Sequence, residues 1–285
     1  MNERKKRLFG ILIIGLTYLL ASAVGIGVFL LLPFEIWLSV LVADVVATVV
    51  VFVVSVICSN ASVYDPYWSV QPIIILLAAA FGFGVNLTGS LLIAVICFWG
   101  IRLTANWAYT FHGLDCQDWR YTMLKEKSGG FYPIVNFFGI HLIPTLIVYL
   151  CTIPAVYVLK LAPDFNLLAL PFAILSLLAV ILQGVSDIQM HKFRRLKTGG
   201  FIRIGLWKYS RHPNYLGEIL MWWGVGVYSA ISVGVNLFIV GAVANTLLFL
   251  FVSIPMADKR QSRKEGFEDY KNNTRSLLPI YKKQN

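Results

Sequence analysis

Charge is scarce in this chain. Of its 285 residues, 13% are Asp, Glu, Lys or Arg, where a soluble domain carries about a quarter. Acid is scarcer still, with 14 Asp and Glu against 24 Lys and Arg. An ordinary solvated globular surface is therefore excluded. Cysteine is sparse too. Cys58, Cys97, Cys116 and Cys151 show no metal-binding or redox spacing, so they read as small buried hydrophobes and no metal site is expected. There is no P-loop, no H-E-x-x-H and no nucleophile elbow. No clear internal repeat is present. The strict alternation of a membrane β-barrel is also missing.

What is abundant is hydrocarbon. Hydrophobic residues make up 58% of the chain, and the mean hydropathy is +0.73. Apolar runs long enough to cross a bilayer, roughly 20 residues, recur along the whole length. Eight spans are expected, near 8–32, 34–58, 68–84, 87–110, 134–159, 166–189, 213–230 and 233–256. The third is short and opens at Pro72, so a tilted or re-entrant piece stays open there. The first is too long, and lacks a small-residue cleavage site, for a cleaved signal peptide. Backbone polar groups in lipid must be satisfied internally. The expected fold class is therefore all-α, a polytopic transmembrane bundle of seven or eight spans. Residues 1–60 hold two spans without a recognisable motif, and 61–285 hold everything that suggests chemistry.

The net charge of +10 invites a nucleic-acid partner, but its distribution argues against one. Arg4, Lys5, Lys6 and Arg7 precede the first span, three bases lie in 111–133, seven in 190–211 and eight after 257. Only Lys160 falls on the other side, and Arg102 lies inside a span. This is the positive-inside pattern. It predicts a multi-pass protein with both termini cytoplasmic, of the kind found in a bacterial inner membrane, touching anionic head groups. The closing KKQN reads as a solvated basic tail rather than a retrieval signal.

Ionisable groups in a span are costly unless paired or facing a cavity, so each is a functional candidate. In "LQGVSDIQMHKFRRLK", Gln183, Asp187, His191 and Arg194 share one helical face. A solvated helix end with snorkelling arginines would look the same. In "GLWKYSRHPNYLGEILMWW", Pro213 suits a first helical turn. The free N–H groups and positive dipole of that turn make an anion site. Asn214 and Glu218 lie one turn apart behind it, with Arg211 and His212 at the rim and Tyr209 just before the turn. In "FWGIRLTANWAYTFHGLDCQDWRY", Arg102 and Asn106 lie one turn apart, while Asp115, Asp118 and Arg120 fit a self-satisfied surface network. In "SVYDPYWSVQP", Tyr64, Asp65, Tyr67, Trp68 and Gln71 are placed to line a cavity, although Tyr and Trp are also routine interface residues. Asp44, in the middle of the second span, needs a partner, for which Arg102 is one candidate.

These motifs carry a resemblance. "GLWKYSRHPNYLGE…WWG", preceded by "SDIQMHKFRR" and followed by "FEDYKNNTRSLLPI", resembles the C-terminal region of steroid 5-alpha-reductases. "DPYWS" and "RLTANWAYTFHGLDCQDWRY" resemble the largely bacterial membrane branch related to them. The similarity covers roughly residues 60–283. It implies a helical membrane bundle that binds NADPH from the cytoplasmic side and reduces a C=C bond conjugated to a ketone. The substrate would be an apolar small molecule drawn from the bilayer, sterol-like or lipid-like. The family's cofactor contacts carry over to Asp187, Arg194, Tyr209, Asn214 and Glu218; Arg211, His212, Arg102 and Asn106 join them from the residue reading. The pattern departs at Gln183, where the reductases have a shorter amide, and at His212-Pro213. The catalytic Tyr of the reductases aligns with Trp99, so Tyr67 with Asp65 is the expected substitute for its Tyr–carboxyl pair. Two other readings compete. An Arg-His-Pro-x-Tyr turn before a span also resembles membrane methyltransferases of isoprenylcysteine or lipid amines, which use S-adenosylmethionine. A non-catalytic lipid-binding membrane protein is the third.

Overall fold

A computed structural model of the chain describes residues 2–197 and 199–279, so the KKQN tail lies outside the described residues. Among them the chain is helical, with no β-strand. Eight helical stretches are long and apolar enough to cross a membrane. The protein is a multi-pass helical bundle, and it forms two compact units, Met1–Ala162 and Pro163–Asn285.

The first unit contains α1 (Glu3–Leu31), α2 (Ile36–Ile57), a 3-10 turn (Ala61–Tyr64), α3 (Tyr67–Phe83), α4 (Leu87–Thr110), α5 (Trp119–Ser128), the short α6 (Tyr132–Ile134) and α7 (Ile143–Leu161). A π-helical stretch, Val135–Leu142, leads into α7. Helix starts are set by side-chain caps that satisfy free N–H groups. The Asn86 side chain accepts from the Gly89 N–H at 2.8 Å to open α4, and Asn60 accepts from the Ser62 N–H at 2.8 Å to open the 3-10 turn. The third span begins at Tyr67 and continues through Pro72. It ends at Gly84, whose φ of 81° an L side chain rarely adopts. α3 and α4 meet backbone to backbone at Gly100, where a Cβ would collide with the Ser69 carbonyl. Lys6 pairs with Asp115 at 2.8 Å and Arg7 donates to the Ala108 carbonyl at 2.7 Å. The start of α1 and the end of α4 thus share one end of this unit.

The second unit contains α8 (Leu170–Arg195), a 3-10 turn (Gly205–Lys208), α9 (Pro213–Val233), another turn (Asn236–Ile239), α10 (Val240–Leu248), α11 (Ile254–Gln261) and α12 (Phe267–Asn273), with a π-helical stretch at Phe249–Ser253. α9 begins at Pro213, as its missing N–H predicts. α8 and α9 approach closely because Gly217 and Gly224 face α8; a Cβ at either would run into Gln183 or Ser176. The Ser176 hydroxyl donates to the Met221 carbonyl at 2.9 Å across that seam. Large apolar side chains such as Leu168 and Phe251 stand exposed, 74% and 73%, a surface that suits lipid and not water.

Candidate functional site

Each unit holds a buried carboxylate cluster of its own. In the first unit, Asp44 sits midway along α2 and is 4% exposed. Its carboxylate accepts from the Gln71 side-chain amide, and the Tyr67 phenol points at it from 3.5 Å. Both partners come from the first turns of α3. These three groups form the polar floor of a cavity of about 760 Å³ between α1, α2 and α3, walled by residues such as Gly25, Val40, Ile75 and Phe83. The volume matches the 300–1,000 Å³ typical of small-molecule sites. Gly25 keeps α1 against α2, since a Cβ there would lie 3.3 Å from both the Ala43 carbonyl oxygen and the Ala47 Cβ. The Gln71 Oε1 is buried without a hydrogen-bond partner.

The partners differ from those expected. Asp44 meets Gln71 and Tyr67 rather than Arg102. Asp65, expected beside Tyr67, accepts instead from the Tyr121 phenol, with Arg120 at 3.8 Å. Arg120 also holds Asp118 at 2.8 Å. Asp65 therefore belongs to the polar network of the α5 start. The carboxyl that serves Tyr67 comes from the preceding span, 23 residues earlier in the chain, a pairing that local spacing does not display. Arg102 and Asn106 lie one turn apart on α4, both half-buried.

In the second unit Gln183, Asp187 and Arg194 lie along α8, Asn214 and Glu218 lie on α9, and Tyr209 precedes α9. Gln183 is 1% and Glu218 5% exposed. Glu218 accepts from the Trp222 indole N–H at 2.9 Å. Asn214, one turn earlier, keeps a buried Oδ1 without a hydrogen-bond partner. Asp187 is half-buried on α8; Arg194 and Tyr209 are exposed.

Arg211 and His212 do not stand open at a rim. Asp258, on α11, takes the Arg211 guanidinium at 2.8 Å and the His212 imidazole at 2.9 Å. Arg211 also donates to the carbonyls of Thr274 and Lys271. Residues 210–212 run beside 274–276, with a parallel bridge between Ser210 and Arg275 and the His212 N–H on the Ser276 carbonyl at 3.0 Å. Tyr270 completes the strap by donating to the Trp207 carbonyl, and burial pushes its phenol pKa up. These groups fasten the loop that precedes α9. Asp258 is absent from the sequence expectations. It sits in "MADKR", where an acid flanked by bases reads as a solvated pair; only its fold partners give it away.

A helical membrane protein with a buried acid in each of two compact units is the class that fold and site define. Residues 51–274 match the family described as "Protein of unknown function (DUF1295)", and the chain belongs to that family. It is 28% identical over 212 residues to an uncharacterized protein of Schizosaccharomyces pombe, an alignment covering 63% of this chain and 60% of that relative. The match thus spans under two thirds of the relative's length. No solved structure matches.

Proposed function

We propose that the protein is an NADPH-dependent membrane reductase that delivers hydride to the conjugated C=C bond of an apolar enone taken from the bilayer. The observation that supports this most is the floor of the first unit's cavity, where Tyr67, Asp44 and Gln71 meet within otherwise apolar walls. The resemblance of residues 60–283 to steroid 5-alpha-reductases points the same way. The Tyr–carboxyl pair that those enzymes use finds its counterpart in Tyr67 with Asp44, in place of Asp65 or the aligned Trp99.

In this reading the apolar walls take the hydrocarbon body of the substrate and the floor takes its ketone. Charge builds on the carbonyl oxygen as the β-carbon gains hydride. The Tyr67 phenol donates to that oxygen, and Asp44 with Gln71 holds the phenol in place. A donor that acts on developing charge favours the transition state over the ground state. The long 3.5 Å contact between Tyr67 and Asp44 suits a donor that turns to substrate on binding.

The second unit's residues fit the cofactor. Asn214 presents a buried acceptor without a partner, which a carboxamide N–H or a ribose hydroxyl satisfies. Glu218 and Asp187 add acceptors, Arg194 suits a phosphate, and the exposed Tyr209 ring suits stacking. Arg211 and His212 position the loop rather than touch the nucleotide. NADPH would supply the hydride when bound. The charge asymmetry supports a cytoplasmic location for this loop and both termini, in a membrane of the bacterial inner type.

The test is thermal unfolding of the detergent-solubilised protein with added NADPH or S-adenosylmethionine. Ligand at a hundred times its dissociation constant stabilises the folded state by about 2.7 kcal/mol. Stabilisation by NADPH alone is expected. Stabilisation by S-adenosylmethionine alone would replace the reductase with a methyltransferase, and a response to neither would leave a non-catalytic lipid-binding protein.

A further inference from the structure

The cavity of the first unit changes character from one end to the other. Its lining follows one face of α1 from Tyr18 to Leu30 and runs along α3 from Tyr67 to Phe83. Gln71 and Phe83 are separated by about 18 Å of helix. The polar groups sit together at the first end. Tyr67, Gln71 and Asp44 are buried there, and so is Tyr18, whose phenol donates to the Val63 carbonyl at 2.6 Å. Toward the second end the lining becomes apolar and then open. Leu30 is 75% and Phe81 95% exposed, while Ile36 and Val40, on α2, stay buried. The mouth therefore lies between α1 and α3, at the last turns of both helices.

The walls restrict what enters. Among the described residues no Lys, Arg or His lines the cavity, and the acid that lines it is Asp44, at the floor. Between floor and mouth the walls carry one hydroxyl, that of Ser22, and otherwise glycine, alanine and larger apolar side chains. An anionic head group would meet no counter-charge on the way and a carboxylate at the end. An ammonium would shed its water along the hydrocarbon mouth before it reached a partner. Burying an unpaired charge costs far more than burying a hydrogen-bonded neutral group. The floor offers a phenol donor from Tyr67 and, in the Gln71 Oε1, a buried acceptor without a hydrogen-bond partner. That set suits a small, uncharged polar end.

We infer that the cavity admits a lipid with a single uncharged polar end, which enters between α1 and α3 polar end first and leaves its hydrocarbon tail at the mouth. The inference rests on the reductase reading only in making that polar end a ketone. It adds a direction of entry and a basis for selection. Bilayer lipids with charged head groups would have to draw the head group through the apolar mouth to reach the floor, so they stop outside. The cavity thereby selects a neutral lipid from a large excess of charged ones. The path is kept clear near the mouth by Gly82, where a Cβ would meet nothing within 4 Å.

The test needs neither cofactor nor turnover. Purified full-length protein in phosphatidylcholine nanodiscs is irradiated with a long-chain methyl ketone that carries a diazirine either beside the carbonyl or at the end of the chain. Labelled peptides are mapped by mass spectrometry, and only labelling that excess plain ketone removes is counted. The carbonyl-side diazirine is expected at Val70 and Ile74, near the floor, and the chain-end diazirine at Phe29, Leu30 and Phe81. The carboxylic acid and the primary amine of equal chain length are expected to leave the floor unlabelled. Gly82→Trp is expected to lower floor labelling by about tenfold, as overfilling the path would. Gly27→Trp adds the same bulk on α1, outside the lining and also into open space, and is expected to change nothing. The pattern in the native protein carries the test if Gly82→Trp does not fold. Reversed or uniform labelling, or an acid or amine that reaches the floor as well as the ketone does, would overturn the inference. Equal floor labelling in the two tryptophan variants would overturn the entry path. Those results alongside stabilisation by NADPH would leave the reductase reading standing alone. The expected labelling without any stabilisation by NADPH would instead remove the reductase reading and keep the neutral-lipid site.

Discussion

Asp44 and Asp258 are both buried acids on membrane-span helices, 4% and 8% exposed, and their surroundings are opposite. Asp258 is gripped by a guanidinium, with an imidazole and two strap carbonyls completing the cluster around it. Asp44 has an amide and a phenol, and a cavity beside it. A buried charge with a counter-charge is a structural fastening; a buried acid left with neutral partners at a cavity floor is poised for a ligand. The difference teaches that burial alone does not mark a site in this chain. The kind of partner does.

The sharpest way to break the comparison is to remove each acid. Asp258→Ala leaves Arg211 buried without its counter-charge, which costs about 3–5 kcal/mol. A large drop in melting temperature is expected, with proteolysis entering first at residues 264–279. Asp44→Asn keeps the size and a hydrogen-bonding group beside Gln71, and removes no ion pair, so its melting temperature should stay close to that of the native protein. If the two substitutions destabilise equally, the division between fastening and site is wrong.

Next in size is Tyr67→Phe, which deletes one hydroxyl and leaves the ring contacts with Tyr18 and Tyr64 in place. Losing a donor to developing charge lowers kcat by about 100- to 1,000-fold. The expected signature is that loss of kcat, read as NADPH oxidation in the presence of an accepted enone, with NADPH affinity and melting preserved. Asp65→Asn is the control. It leaves an oxygen to accept from Tyr121 and changes kcat little, because Asp65 serves the α5 network. A larger effect at Asp65 than at Tyr67 would return the site to the pairing expected from sequence.

Much of the fold was legible in the sequence, because hydrocarbon imposes helices and their number follows from apolar length. α4 falls on the expected 87–110, and α9 opens at Pro213. Legibility failed where side chains from distant segments meet. Asp44 announced that it needed a partner, but nothing in one strand of text says that α2 and α3 bring Gln71 to it. Asp258 lies 46 residues from His212. Local motifs showed which residues were polar against their surroundings. They did not show which of those were already satisfied by one another.

Glu218 is the third buried acid and the finest test of the comparison. It accepts from the Trp222 indole at 2.9 Å. Glu218→Gln keeps an oxygen for the indole, so folding and expression should hold. It replaces one carboxyl oxygen with an amide NH2, and so removes one acceptor that a nucleotide hydroxyl or carboxamide would use there. NADPH affinity should fall by about tenfold, equivalent to about 1.4 kcal/mol, measured by titrating the melting temperature against cofactor. A fall in melting temperature without cofactor, and no change in affinity, would move Glu218 to the side of Asp258. It would then be a structural acid of the α8–α9 seam, and the second unit would keep Asn214 as its remaining buried acceptor for the nucleotide.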